Sequence, residues 1–262
     1  MEEFPAVFDS TFYPISLVSC VIVVIFFKYL SPLVSRMIFP GLDTLSKDKQ
    51  IYWHTCTCST VHAFVVSALC IYTLLFEGYL KEDPVWGHSS LVKTSCAILV
   101  GYLAADSLFI LRYYKQIGDW FYILHHFASA FAYYYVMSYG VFVYFANFRL
   151  MAEFSTPWVN NRWFLAEMGK RSSKVYFYNG CILTAVFFFC RIFTLPQCWY
   201  MIYSVYGTES FNRAQHCRYV LLFSCLLLDA LNIKWFHRLL KGVHKQLTQP
   251  DPNANIKVNK EE

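Results

Sequence analysis

Seven apolar stretches dominate the chain, at approximately 12–34, 52–76, 94–111, 120–138, 141–158, 176–196 and 216–236, and short polar connections separate them. A hydrocarbon core about 30 Å thick takes roughly 20 apolar residues of helix to cross. In that solvent each backbone N–H and C=O must find its partner inside the protein, and a helix does this within one segment. The expected fold is therefore all-α, a polytopic transmembrane helical bundle of about seven spans. Composition agrees, with 57% hydrophobic and only 15% charged residues, against about 25% charged in a soluble domain. The fourth and fifth runs are parted only by Ser138-Tyr139-Gly140. Gly140 supplies a tight turn there, since one helix through both runs would far exceed a bilayer.

The connections set the orientation. With the N-terminus outside, the inward connections and tail carry Arg36, Lys47, Lys49, Arg112, Lys115, Arg162, Lys170, Arg171, Lys174, Lys234, Arg238, Lys241, Lys245, Lys257 and Lys260. The outward ones carry Lys81, Lys93 and Arg213, fifteen against three. Short loops rich in Lys and Arg stay in the cytosol, so the expected N-terminus is lumenal and the C-terminus cytosolic. The chain divides into 1–44, the N-terminus and first helix; 45–245, a six-helix domain; and 246–262, a polar tail expected to be disordered. The net charge of +5 lies at the ends of spans, where anionic lipid headgroups rather than nucleic acid are the expected partner. The cysteines fall mostly inside apolar runs, and Cys56-Thr-Cys58 has no second pair to close a metal site. No metal and no cofactor are expected.

An ionisable group costs about 2.5–3.5 kcal/mol to insert at the centre of a span, so each one marks a cavity or a partner. Here they include His54 and His62, Asp106, His125 and His126, Arg149 and Glu153, Arg191 and Asp229, spread over six of the seven runs. Such a spread implies a shared polar interior. Arg149 and Glu153 lie four apart, one above the other on a helix face, and are expected to pair. Arg191 is placed near the outward end of its run, where it can snorkel. Pro157 and Pro196 are placed near span ends, and no internal repeat supports a transporter. Neighbouring helical residues point about 100° apart, so both rings of His125-His126 face inward only if their helix is largely buried. A neutral imidazole donates and accepts at once, which suits proton transfer near neutrality.

Gly118-Asp-Trp-Phe-Tyr-Ile-Leu-His-His126 resembles the start of the signature of the TLC-domain family, which includes the ceramide synthases and translocon-associated membrane proteins. Ser59-Thr-Val-His-Ala63, Asp106 and the stretch from Arg149 to Glu153 fit the same likeness, which spans roughly 45–245. It implies an all-helical bundle whose inner helices enclose a long cavity, and residence in the endoplasmic reticulum. For ceramide synthases it implies acyl transfer from acyl-CoA to a sphingoid amine, with a His-Asp pair one span after the double His. At the comparable place this chain reads Phe148-Arg-Leu-Met-Ala-Glu-Phe154. Ala152 stands where that further histidine would be, and Glu153 replaces the aspartate.

Two functions are therefore expected of these residues. In the first, the bundle binds or handles membrane lipid and influences membrane composition without full acyltransferase chemistry, its cavity lined by His62, Asp106, Arg149 and Glu153. In the second, His125 or His126 acts as catalytic base of a ceramide-synthase-like transfer, with acyl-CoA as substrate.

Overall fold

The computed structural model describes residues 6–248, which are helical with no strand among them. Seven rods follow one another. They are α1 (Tyr13–Ile38), α2 (Lys47–Phe76), α3 (Ser90–Arg112), α4 (Trp120–Tyr139), α5 (143–167), α6 (Lys174–Val205) and α7 (Cys217–Thr248). Five of them, α1, α2, α3, α6 and α7, are long and apolar enough to cross a membrane. The chain is a multi-pass membrane protein. Helix α7 runs on to Thr248, and the rest of the polar tail lies outside the described residues.

Capping fixes where rods begin. Ser89, Asp119 and Ser173 each accept a backbone N–H of the first turn of α3, α4 and α6 through their side chains. Three rods are interrupted, each just before a proline. Helix α1 has a π-helical turn at Phe26–Leu30 ahead of Pro32, and α6 has one at Phe188–Ile192 ahead of Pro196. Helix α5 consists of Val143–Leu150, a 3-10 turn at Met151–Ser155, and Thr156–Glu167, with Pro157 in the first turn of the last piece. Proline has no N–H for the carbonyl four residues earlier and its ring presses on that carbonyl, so the ladder must reset upstream. Pro157 and Pro196 thus lie inside their rods rather than near the ends, because α5 continues to Glu167 and α6 to Val205.

The turn at Gly140 forms as expected. Gly140 takes φ 64° as it caps α4, and Phe142 follows with φ 60°. A phenylalanine is held in that region because its ring is buried beside Phe145 and Phe211. Its N–H also donates to the Val85 carbonyl at 2.7 Å.

Contacts between rod ends define two poles. At one, Lys49 of α2 pairs with Glu167 of α5 at 2.6 Å. Arg36, Lys47, Arg112 and Lys174 occupy the ends of rods that meet there and Lys115 the link between α3 and α4, making it the basic pole. At the other, the Trp86 indole donates to the Ser210 carbonyl at 3.0 Å and the Asp9 N–H to the Ser138 carbonyl at 2.6 Å. There Asp9 also pairs with buried Lys93 at 2.7 Å. The ammonium and the Thr11 hydrogen bonds hold the Asp9 carboxyl well below its ordinary 3.8. A depressed carboxylate contributes stability above its unfolded pKa and loses it as pH falls through the lower folded value. The segment before α1 should stay protected at pH values where ordinary carboxylates have already been protonated. Asp9→Asn should release it at neutral pH, read as faster amide exchange over residues 6–12.

Helix α1 leans on the outside of α3. A Cβ at Gly101 would overlap the Ser16 carbonyl and sit 2.7 Å from the Ser19 Cβ. Ser19 Oγ meanwhile donates to the Ile98 carbonyl at 2.8 Å. Small residues let the two backbones touch, the usual means of helix association in lipid. Gly101→Val should destabilise the detergent-solubilised protein by about 1–3 kcal/mol through overpacking. Gly242→Ala, where a Cβ meets nothing within 4 Å, should not.

Candidate functional site

The other six rods surround a cavity of about 470 Å³. Its wall is drawn from α2 (Tyr52, Cys56, Ser59), α3 (Tyr102, Asp106), α4 (Tyr122, His125, His126), α5 (Glu153, Thr156, Arg162), α6 (Gly180, Leu183, Arg191) and α7 (Trp235, Arg238, Gly242). Asp106, His126 and Arg191 are buried at its depth, whereas Arg238 and Gly242 are exposed at the basic pole. The cavity is entered from that pole.

His126 and Asp106 form its polar centre. Nδ1 of His126 lies 2.7 Å from the Tyr122 carbonyl, four residues earlier on the same helix, and Nε2 lies 2.8 Å from Asp106 Oδ2. A carbonyl only accepts, so Nδ1 carries the hydrogen. Nε2 would then meet a carboxylate lone pair with its own, unless a proton lies between them. The pair therefore holds one proton more than a neutral ring facing an ionised carboxylate. The second oxygen, Asp106 Oδ1, is buried with no partner among the described residues.

Beside it His125 presents its edge to Trp235, with ring centroids 5.2 Å apart, and its own Nδ1 is buried and unpartnered. Both rings reach the cavity because α4 is flanked by α3 and α7. Opposite them, Arg191 is fastened by neutral acceptors. Its Nε donates to the Ala152 carbonyl (3.0 Å) and Ser155 Oγ (2.8 Å), Nη1 to Asn232 (3.1 Å) and Nη2 to Thr156 Oγ1 (3.3 Å). Thr156 passes its own hydrogen to Glu153 Oε2 at 3.0 Å. With Asp106 and Glu153 ionised and Arg191 charged, the extra proton on the His126–Asp106 pair brings the buried charge to zero. A low-dielectric interior favours that state.

The sequence profile of the TLC domain matches residues 52–241, most of the chain and nearly all of the cavity wall. The chain belongs to the TLC-domain family. It is similar to TLC domain-containing protein 4-B of Xenopus laevis, 38% identical over 241 residues covering 90% of this chain and 91% of the relative. It is 40% identical to TLC domain-containing protein 4 of Homo sapiens over 224 residues, 85% of each chain. An uncharacterized TLC domain-containing protein of Schizosaccharomyces pombe is 27% identical over 238 residues, 88% of this chain and 79% of that one. No solved structure matches it.

The TLC-domain match begins after α1, so the rod that stays outside the cavity is also the one outside the domain. Of the residues expected at the site, His125, His126, Asp106 and Glu153 meet at this cavity. His62 does not line it; its ring stacks on Tyr102 at 3.9 Å behind the wall, with Nε2 unpartnered. Arg149 borders a different, smaller cavity between α4, α5 and α7 and is paired with Asp229, whose other oxygen accepts from the Trp199 indole at 2.8 Å. The expected pair of Arg149 with Glu153 is thus replaced. Glu153 sits within the 3-10 turn Met151–Ser155 that follows the α-helical piece carrying Arg149, so the two do not share an α-helical face. Arg191 likewise does not snorkel. The π turn and the neutral acceptors keep it inside, 7% exposed.

Trp235, Asn232 and Arg238 were not singled out in the sequence. Their signal was the three-residue spacing of Asp229, Asn232, Trp235 and Arg238, a row of polar and aromatic groups that winds about half-way round α7, from Arg149 past Arg191 to the entrance.

Proposed function

We propose that the chain binds a lipid amphiphile in the six-helix cavity and handles it for the surrounding membrane. By this route it contributes to lipid homeostasis or membrane composition without full ceramide-synthase-type chemistry. The observation that carries this reading is the cavity itself. Its volume falls in the range of ligand sites, about 300–1,000 Å³, and a few convergent polar groups sit in a largely apolar lining. The absence of a histidine at Ala152 supports handling over transfer. On this reading the basic pole is cytosolic and the membrane is that of the endoplasmic reticulum. Native mass spectrometry of the purified protein should reveal a bound lipid, lost when Thr184, which lines the cavity from α6, gives way to a bulky ring in Thr184→Phe. Protein that carries no lipid under gentle release would sink the proposal. Protease protection of terminal tags in sealed microsomes tests the orientation.

A second reading rests on a specific observation, the 2.8 Å contact of His126 Nε2 with Asp106, which calls for a shared proton, next to the unpartnered Nδ1 of His125. That is an acid beside a base, as acyl transfer from acyl-CoA to a lipid amine requires. Incubating the purified protein with a long-chain acyl-CoA and sphingosine separates the two. Transfer that depends on His125 or His126 would replace handling by catalysis.

A further inference from the structure

On each of the six rods around the cavity, the lining residue furthest from the basic pole carries a hydrogen-bonding or ionisable group. These residues are Ser59, Tyr102, His126, Glu153, Arg191 and Trp235, and with Asp106 and His125 they make up the floor. Two atoms of the floor, Asp106 Oδ1 and His125 Nδ1, are buried without a partner among the described residues. Leaving such atoms unmet is costly. The wall between floor and entrance differs. Its apolar surface comes from Ile110, Phe121, Val159, Leu183 and Leu239. Polar groups along it are turned back onto the backbone: Thr55 donates to the Tyr52 carbonyl at 2.9 Å, Thr184 to that of Gly180 at 2.9 Å and Asn160 to that of Cys56 at 3.0 Å. Hydrogen bonding is thus offered at the closed end and withheld along the way, the reverse of what an apolar chain arriving first would need. The charges of the floor cancel, with Asp106 and Glu153 set against Arg191 and the proton of the His126–Asp106 pair.

We propose that the cavity takes a single-chain amphiphile head first, and that the head is uncharged and carries hydroxyl groups that donate and accept at the floor. A hydroxyl there donates to Asp106 Oδ1 and meets His125 Nδ1, while the chain lies back along the apolar wall towards the entrance. An ionic head would leave water for a place with no net counter-charge to receive it. Gly180 and Arg191 lie eleven residues apart on the α6 wall, which is about 16 Å at 1.5 Å per residue. Extended backbone advances roughly 3.5 Å per residue, or about 1.2 Å per bond, so a head with a ten-carbon chain fills that depth. The inference rests on the lipid-binding reading above and adds to it the head and its direction.

The full chain, purified in a neutral detergent, is photolysed with a decanoylglycerol whose chain ends in a diazirine, and the labelled residues are mapped by peptide mass spectrometry. The label should fall near the entrance, on Leu239 and Val243 of α7 or on Ile117 and Phe121. Label gathered instead on Leu103 and Phe187, beside the floor, would overturn the head-first direction. Unmodified decanoylglycerol should suppress the labelling about tenfold better than decyl sulfate or decyltrimethylammonium, the worth of roughly one hydrogen bond. Equal suppression by all three would overturn the uncharged head while sparing lipid binding. His125→Phe keeps a ring beside Trp235 but removes both nitrogens, and should weaken decanoylglycerol about tenfold. Unchanged suppression in that variant would overturn the part given to the floor, and the labelling of the native chain decides the direction whether or not the variant folds. Labelling that decanoylglycerol cannot displace anywhere would overturn both this inference and the lipid-binding reading.

Discussion

Asp229→Asn should destabilise the solubilised protein by about 3–5 kcal/mol, because it leaves the Arg149 guanidinium charged and without a counter-ion between α5 and α7. Both side chains are nearly inaccessible, at 13% and 9% exposed, so neither water nor salt can take over. The amide has one accepting oxygen where the carboxylate has two, so it serves either the Trp199 indole or Arg149 and turns its NH2 on the other, and the loss combines the charge with one hydrogen bond. The joint change Arg149→Met, Asp229→Leu should be far milder than the single one, since a buried pair replaced by apolar groups of similar size is often neutral. Glu153→Gln should cost less than Asp229→Asn, because Glu153 is half-buried and hydrogen-bonds the Thr156 hydroxyl while acting on Arg191 only at a distance. The check is a double-mutant cycle on thermal unfolding in detergent. Additive losses would mean that Arg149 and Asp229 do not couple.

The second large effect concerns the His126–Asp106 pair and separates stability from chemistry. Asp106→Asn removes the carboxylate, and with it the reason for the extra proton. His126 then becomes a neutral ring whose Nδ1 hydrogen still goes to Tyr122 and whose Nε2 accepts from the new amide. Every hydrogen bond survives, so stability should change by less than about 1 kcal/mol. Asp106→Leu instead leaves Nε2 buried and unpaired, at a cost of about 1–3 kcal/mol. If the site transfers acyl groups, both variants should lose about 10²–10⁴ in rate, the usual contribution of a positioned acid or base. If it only binds lipid, Asp106→Asn should be almost silent. Proton NMR of the imidazole N–H signals reports the change directly, as the Nε2 resonance should vanish in Asp106→Asn. Its persistence there would show that the proton never lay between the two residues.

The rods were legible because an apolar run has one reading in hydrocarbon, and the Gly140 turn because no bilayer takes both runs as one helix. What the runs hid was where rods break. Pro32, Pro157 and Pro196 were visible, but a proline says only that the ladder must reset, not whether it tightens into a 3-10 turn or slackens into a π turn. That choice decided the fate of Arg149, Glu153 and Arg191. Four-residue spacing joined the first two on paper, and a 3-10 turn parted them. Arg149 then took a partner 80 positions away, a distance at which helical periodicity carries no information. The His126–Asp106 pair lies between these cases. Each member stood out as an ionisable group in an apolar run, but their meeting depended on how α3 and α4 pack.

Arg191 grips position 152 by its main-chain oxygen alone, an oxygen exposed by the interruption of α5 and the same for every amino acid. The scaffold around the cavity is thus indifferent to which side chain hangs there. A lineage can install or discard an imidazole at that point without rebuilding the anchor, so chemistry and architecture are separable at this one residue.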